Sequence, residues 1–145
     1  MVRPLWRSAV NLQDVTLEND GHLAIVTLNR PEARNAYTDG MIASLCEALR
    51  VADADTNVRC IIVTGAGKSF SAGGDLRLMA DHKGMFEGEP MELRDRYRFG
   101  VQIVPKTIRE IETPIVAAIN GAAVGAGLDL ACMCDIRIAS TSARF

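Results

Sequence analysis

Apolar and polar residues alternate in two short runs near the start of the chain, Val15-Thr-Leu-Glu and Leu23 to Leu28, on either side of Asn19-Asp20-Gly21. Period-two alternation with β-branched residues predicts two strands, and the polar triplet with its glycine predicts the turn of a hairpin. Periodicity stops around Pro31. It then resumes with a different spacing, as Ile42, Leu45, Cys46 and Leu49 recur at helical intervals. These positions lay one apolar stripe along a helix ending near Ala54, with Thr38 as its N-cap and Asp39 set against the positive end of its dipole.

Two continuous apolar runs, Cys60 to Thr64 and Ile115 to Ile119, predict strands buried on both faces. Ile136 to Ala139 is a third strand. A helix starts near Asp75, and Leu128 to Met133 forms another short one. Leu93, Tyr97, Val101, Val104, Ile108 and Ile111 share a helical stripe, so a long helix is expected there, kinked or divided at Pro105. Lys83 to Pro90, with two glycines, a proline and three charges, is expected to be a mobile surface loop able to act as a lid. Strands alternating with helices predict an α/β fold with right-handed crossovers.

With 48% apolar and 23% charged residues over 145 positions, the chain can form one globular core. A net charge of -2 with both signs interspersed argues against a nucleic-acid groove or an anionic membrane surface, which need a basic excess. Small molecules or other proteins are the expected partners. The run from Pro114 to Cys134 is the nearest approach to a membrane span, but Asn120, Asp129 and its clustered glycines favour a soluble reading. Met1 to Val10 has no apolar stretch suited to a signal peptide. Cys46, Cys60, Cys132 and Cys134 lack the spacing of a disulfide framework, which suits a reducing cytoplasm. With two histidines, neither suitably spaced, Cys132 and Cys134 read as buried or inert thiols rather than zinc ligands, and no metal site is expected.

Two glycine-rich turns remain, each after a strand and before a helix. Thr64 to Ser69 ends like a phosphate-binding loop, but Ile62 occupies the position of its first glycine. Gly121 to Gly127 reads GxxxGxG, which is not the dinucleotide spacing. Glycines at such places also let backbone N-H groups face a cleft with no side chain in the way, and a following helix adds its positive end. Such amides stabilise an oxygen that becomes negative during reaction. Taken singly, each turn is explained as well by close packing of helix against sheet.

Together, in this order, the turns resemble the crotonase superfamily, the enoyl-CoA hydratase/isomerase family, in its N-terminal part. The resemblance is carried by Leu28-Asn-Arg-Pro-Glu-Ala-Arg-Asn-Ala36, Ile62-Val-Thr-Gly65, Ser69-Phe-Ser-Ala-Gly-Gly-Asp-Leu76, Thr113-Pro-Ile-Val-Ala-Ala-Ile-Asn-Gly121, and Gly125-Ala-Gly-Leu-Asp-Leu130 with Cys134-Asp-Ile-Arg137. It implies an α/β spiral of ββα units over residues 14–145, after an N-terminal extension at residues 1–13. By the same resemblance the spiral is incomplete, stopping before the C-terminal helices through which members form trimers or hexamers.

The implied substrate is an acyl thioester of coenzyme A, as in fatty-acid metabolism, with no cofactor besides the coenzyme A within the substrate. The backbone N-H groups of Gly74 and Ala126 fall at the oxyanion-hole positions. Ala33 and Arg34 fall where coenzyme A contacts begin, and the backbone of Ala72, Asp75 and Leu76 falls at the adenine-binding segment. Asp75 reads equally as a salt-bridged surface acid. Asp129 falls where the family's hydratases carry their first acid/base glutamate, one methylene longer, about 1.5 Å of reach. Aspartate at this position occurs among double-bond isomerases and also in proteins labelled as hydratases. The partner acid of hydratases would lie beyond Phe145. The expected activity is enoyl-CoA hydratase; enoyl- or dienoyl-CoA isomerase and a non-catalytic acyl-CoA-binding protein are the alternatives.

Overall fold

The computed structural model describes residues 11–145; the signal-peptide reading of Met1 to Val10, and most of the expected N-terminal extension, lie outside the described residues. Strand β1 (Val15–Asp20) pairs antiparallel with β2 (Leu23–Leu28). The hairpin turn sits two residues later than the polar triplet predicts: Asn19 and Asp20 pair with Ala24 and Leu23, and Gly21 turns the chain at φ +64°. A glycine accepts that left-handed conformation without steric cost, so the turn settles on it.

Helix α1 (Asp39–Ala54) follows, with the Thr38 hydroxyl accepting from the Met41 N-H at 3.1 Å. Met41, Ile42, Leu45, Cys46, Ala48, Leu49 and Ala52 are buried. Each large side chain so buried contributes about 1.5–3 kcal/mol relative to exposure. The chain then enters β3 (Cys60–Gly65), which lies parallel beside β2. Strand β5 (Ile115–Ile119) and strand β7 (Ile136–Ala139) extend the parallel part, giving the order β1-β2-β3-β5-β7. The apolar runs predict strands covered on both faces, and here the structure differs. Ile61, Val63, Ile115, Ala117 and Ile119 are buried, whereas Ile62, Thr64, Val116 and Ala118 on the alternate face are only half-buried. β7 is an exposed edge, with Ile136 and Ile138 open to solvent.

Two further strands were not legible as such. β4 (Ser69–Ser71) and β6 (Ala122–Ala123) pair in parallel as a separate two-stranded sheet. Two or three residues are too few to show a period, so both segments read as loops. Each follows a strand of the main sheet and precedes a helix, α2 (Leu76–Ala80) and α5 (Ala126–Met133). The ββα unit is thus present twice.

The long helix expected through Ile111 is divided into two, but not at Pro105. α3 (Pro90–Phe99) and α4 (Ile103–Glu110) are separated at Gly100, whose backbone (φ -101°, ψ -107°) leaves the helical region. Pro105 does not kink anything: it is the third residue of α4, where the absent N-H would have no intrahelical acceptor. Lys83 to Pro90 is likewise not a free surface loop. It holds a 3-10 turn, Gly84–Phe86, that buries Met85 and Phe86, and Pro90 opens α3 behind a capping box of Glu89 and Glu92. Among the described residues no helix is long and apolar enough to cross a membrane, and no group of three or more His, Cys, Asp or Glu could hold a metal ion.

Candidate functional site

The site is assembled around a segment with no regular structure. After the 3-10 turn Pro31–Ala33, Arg34 and Asn35 both adopt left-handed backbone at φ +54°. This reversal puts the Asn35 side chain, fully buried, under the first glycine-rich turn. Its amide nitrogen donates to the carbonyls of Ala66 (3.0 Å), Ser69 (2.9 Å) and Phe70 (3.2 Å), and its oxygen accepts from the Arg30 N-H at 2.9 Å. Asn120 braces the same turn from the far side: its oxygen accepts from the Gly65 N-H at 3.2 Å, and its nitrogen donates to the Gly67 carbonyl at 3.1 Å. Buried backbone carbonyls need such partners, and two short amides supply them without lengthening the turn.

The glycines then let the two turns touch. A Cβ on Gly73 (φ +76°) would stand 2.5 Å from the Val124 carbonyl oxygen and 3.0 Å from the Ala126 nitrogen. One on Gly127 would collide with Ser71, 2.7 Å from its Cβ. Ser71 ties the layers together, donating its hydroxyl to the Asn35 carbonyl at 2.8 Å and accepting from the Gly73 N-H at 3.1 Å. The Val124 N-H donates to the Ser71 carbonyl at 2.9 Å. Among the described residues the amides of Gly74 and Ala126 donate to no protein acceptor. Both residues line one cavity of about 360 Å³ with Asp129, Tyr37, Met85, Phe86 and Met133.

Gly74, Ala126 and Asp129, singled out in the sequence, therefore meet at one cavity. Asp129 is exposed on α5, one helical turn beyond Gly125, whose carbonyl accepts from its N-H at 3.0 Å. The remaining candidates lie outside the cavity lining. Ala33 and Arg34 are joined to Ala72 through the Ala72 N-H, which donates to the Arg34 carbonyl at 2.9 Å. Leu76 is exposed at the start of α2. Asp75 is an ion-paired acid, but a buried one: its carboxylate accepts from Arg30 Nη1 at 2.9 Å and from the N-H groups of Arg77 and Leu78 at the head of α2. The Arg30 hydrogen bond holds its pKa below the ordinary aspartate value against the opposing effect of burial, with the two backbone donors adding.

All four cysteines are free. Burial pushes the Cys46 thiol up and, with Asp135 adding, the Cys134 thiol up to about 12, as befits inert groups. Cys132, expected with Cys134 to be buried or inert, is not buried but exposed on α5. Sequence reasoning gave no role to Asn35 or Tyr37. Both sit in a mostly polar stretch, Asn29 to Gly40, in which only burial distinguishes them. The apolar wall formed by Met79, Met85, Phe86 and Met133 was also missed, because its residues come from separate elements.

A parallel sheet fed by repeated ββα units, with two interlocked glycine turns presenting amides and a carboxylate to one cavity, defines an α/β protein of the crotonase type. Residues 18–145 match the family model described as Enoyl-CoA hydratase/isomerase, and the chain belongs to that family. It is 45% identical over 132 residues to the Mycobacterium tuberculosis protein named "Probable enoyl-CoA hydratase EchA14", covering 90% of this chain and 48% of that one. It is 44% identical over 135 residues to the (E)-benzylidenesuccinyl-CoA hydratase of Thauera aromatica, with 90% and 48% covered. The solved structure of an enoyl-CoA hydratase/carnithine racemase from Magnetospirillum magneticum superposes with a TM-score of 0.81 at 33% identity, covering 92% of this chain and 48% of that one. The chain spans about half the length of the curated relatives it matches.

Proposed function

We propose that the full-length protein is an enoyl-CoA hydratase, whose substrate carbonyl is held by the Gly74 and Ala126 amides and whose Asp129 moves a proton. The observation that carries this reading is that, among the described residues, both amides lack a protein acceptor and both residues line the same cavity as that carboxylate. A thioester carbonyl placed between two fixed N-H groups gains more from them as it becomes an enolate oxygen than it does in the ground state. The positive end of α5 adds to that preference. Asp129, within reach of the same space, exchanges a proton with the carbon beside the enolate or with an attacking water. Ala33, Arg34, Ala72, Asp75 and Leu76 offer the surface along which the coenzyme A portion runs, by backbone contact at Asp75 because its side chain is already occupied.

The test is turnover of a short enoyl-CoA by the full-length protein, followed by loss of enoyl absorbance. Asp129→Asn is expected to lower kcat about 100-fold or more while leaving thioester affinity nearly unchanged. Undiminished kcat removes Asp129 from the chemistry. A second reading, an enoyl- or dienoyl-CoA isomerase, rests on position 129 being aspartate, one methylene shorter than the glutamate expected of a hydratase there, since a carboxylate can take a proton from one carbon and return it to another. Product analysis in oxygen-labelled water separates the two, because only hydration incorporates the label. The same proposal includes a cytoplasmic trimer or hexamer needing no cofactor beyond the coenzyme A of its substrate. Light scattering tests the assembly, and activity after dialysis against a chelator tests the cofactor.

A further inference from the structure

We propose that Tyr37 is a positioning residue that holds the Gly74 and Ala126 amides in one fixed relation, its backbone binding one glycine turn and its phenol the other. The inference rests on the reading of those amides as the thioester-carbonyl site.

The backbone half is the stronger. The Tyr37 N-H donates to the Gly73 carbonyl at 2.7 Å. That carbonyl and the Gly74 N-H belong to one planar trans peptide, in which they point in opposite directions. Fixing the oxygen therefore fixes the direction of the N-H. The bond also polarises the peptide, which makes the Gly74 N-H a better donor on the cavity side. Tyr37 is delivered to this place by the left-handed pair Arg34 and Asn35, and it forms a parallel bridge with Gly74.

The side-chain half reaches the other turn. The Tyr37 hydroxyl donates to the Ala126 carbonyl at 3.4 Å. Ala126 is the first residue of α5, so a bond to its carbonyl limits rotation of the residue whose N-H is the second donor. At this length the bond restrains more than it anchors, and its loss should register in rate before it registers in folding. Tyr37 is 1% exposed and lines the cavity. Burial raises its phenol pKa, with Cys134, Cys46 and Asp129 adding, so the hydroxyl remains protonated and able to donate. A phenylalanine would fill the same volume. It would leave the Ala126 carbonyl without this partner.

The experiment uses the full-length protein and a saturated acyl-CoA labelled with carbon-13 at its thioester carbonyl, which binds but cannot be hydrated. Isotope-edited infrared spectra of the bound carbonyl report how strongly the amides polarise it. In the parent protein the carbonyl stretch is expected to fall below its value in water. In Tyr37→Phe part of that fall should be lost, with kcat for a short enoyl-CoA reduced about 3- to 10-fold, the rate equivalent of one neutral hydrogen bond, and KM within twofold. Replacing Tyr37 with 3-fluorotyrosine, a stronger donor of nearly the same size, should lower the stretch further than in the parent protein, and it provides the reading should Tyr37→Phe fail to fold. An unchanged stretch in both variants, or a change in KM alone, overturns the positioning role. Absence of any shift in the parent protein overturns the oxyanion reading, and the role of Tyr37 with it.

Discussion

Replacing Asn35 with alanine should destabilise the fold more than any other single change in the glycine-turn region. Its carboxamide occupies a fully buried site, and four backbone groups depend on it: the carbonyls of Ala66, Ser69 and Phe70 and the N-H of Arg30. Ser69 retains a second donor, Asn120 Nδ2 at 3.4 Å, so three groups are orphaned. At about 1 kcal/mol each, with about 1 kcal/mol more for an alanine held at positive φ, the expected loss is about 4 kcal/mol. That is a large part of the 5–15 kcal/mol typical of a domain. Urea unfolding of the full-length protein measures it as a lower midpoint at unchanged slope. Asn35→Gly separates the two contributions, because glycine tolerates the left-handed backbone and should recover about 1 kcal/mol. Asn35→Asp should be at least as damaging as alanine at neutral pH, since it turns a donor facing three carbonyls into a charged acceptor. A loss below about 1 kcal/mol for Asn35→Ala, or a glycine variant no better than alanine, refutes the assignment of this turn to Asn35.

Three further substitutions test neighbouring parts of the site. Asp75→Asn removes a carboxylate whose pKa is lowered in the folded state; such a group adds stability above its unfolded pKa, near 4, and loses it as pH falls through the folded value. The parent protein's melting temperature should therefore exceed the variant's at neutral pH, with the gap closing below about pH 4; a gap independent of pH would assign Asp75 a packing role only. Gly125→Ala and Gly127→Ala should lose stability for different reasons: Gly125 has open space for a Cβ, but its backbone (φ +53°, ψ -127°) is nearly confined to glycine, so alanine there should lose about 1–3 kcal/mol through strain alone. Gly127→Ala should lose about 1–3 kcal/mol by contact instead, although alanine favours helices, because the new methyl meets Ser71 and pushes α5 from β4. Thermal denaturation measures both, and a Gly127→Ala variant as stable as the parent protein would contradict the contact.

How much of this was readable in advance depended on the range of the interactions. Local rules sufficed for the β1–β2 hairpin, for α1 with its Thr38 cap, and for β3, β5 and β7, since period, capping chemistry and β-branched composition act within a few residues. The break between α3 and α4 was misplaced because the proline rule was applied without the position of Pro105 in its helix; the residue that breaks the run is Gly100. The two glycine turns and Asp129 could be picked out in the sequence, and the resemblance named Gly74 and Ala126 within them. Their union could not be read off, because it depends on β4 and β6, too short to show a period, and on contacts of Gly73 with Val124 and of Gly127 with Ser71. Tyr37 and Asn35 belong entirely to that second category: nothing in their own neighbourhood along the chain marks them, and their importance comes from burial beneath turns some 30 to 90 residues away. The sequence by itself determined the strands and helices long enough to show a period and which residue types could do chemistry. Tertiary structure decided which amides were left free to face a ligand, since that depends on every other donor and acceptor having found its partner.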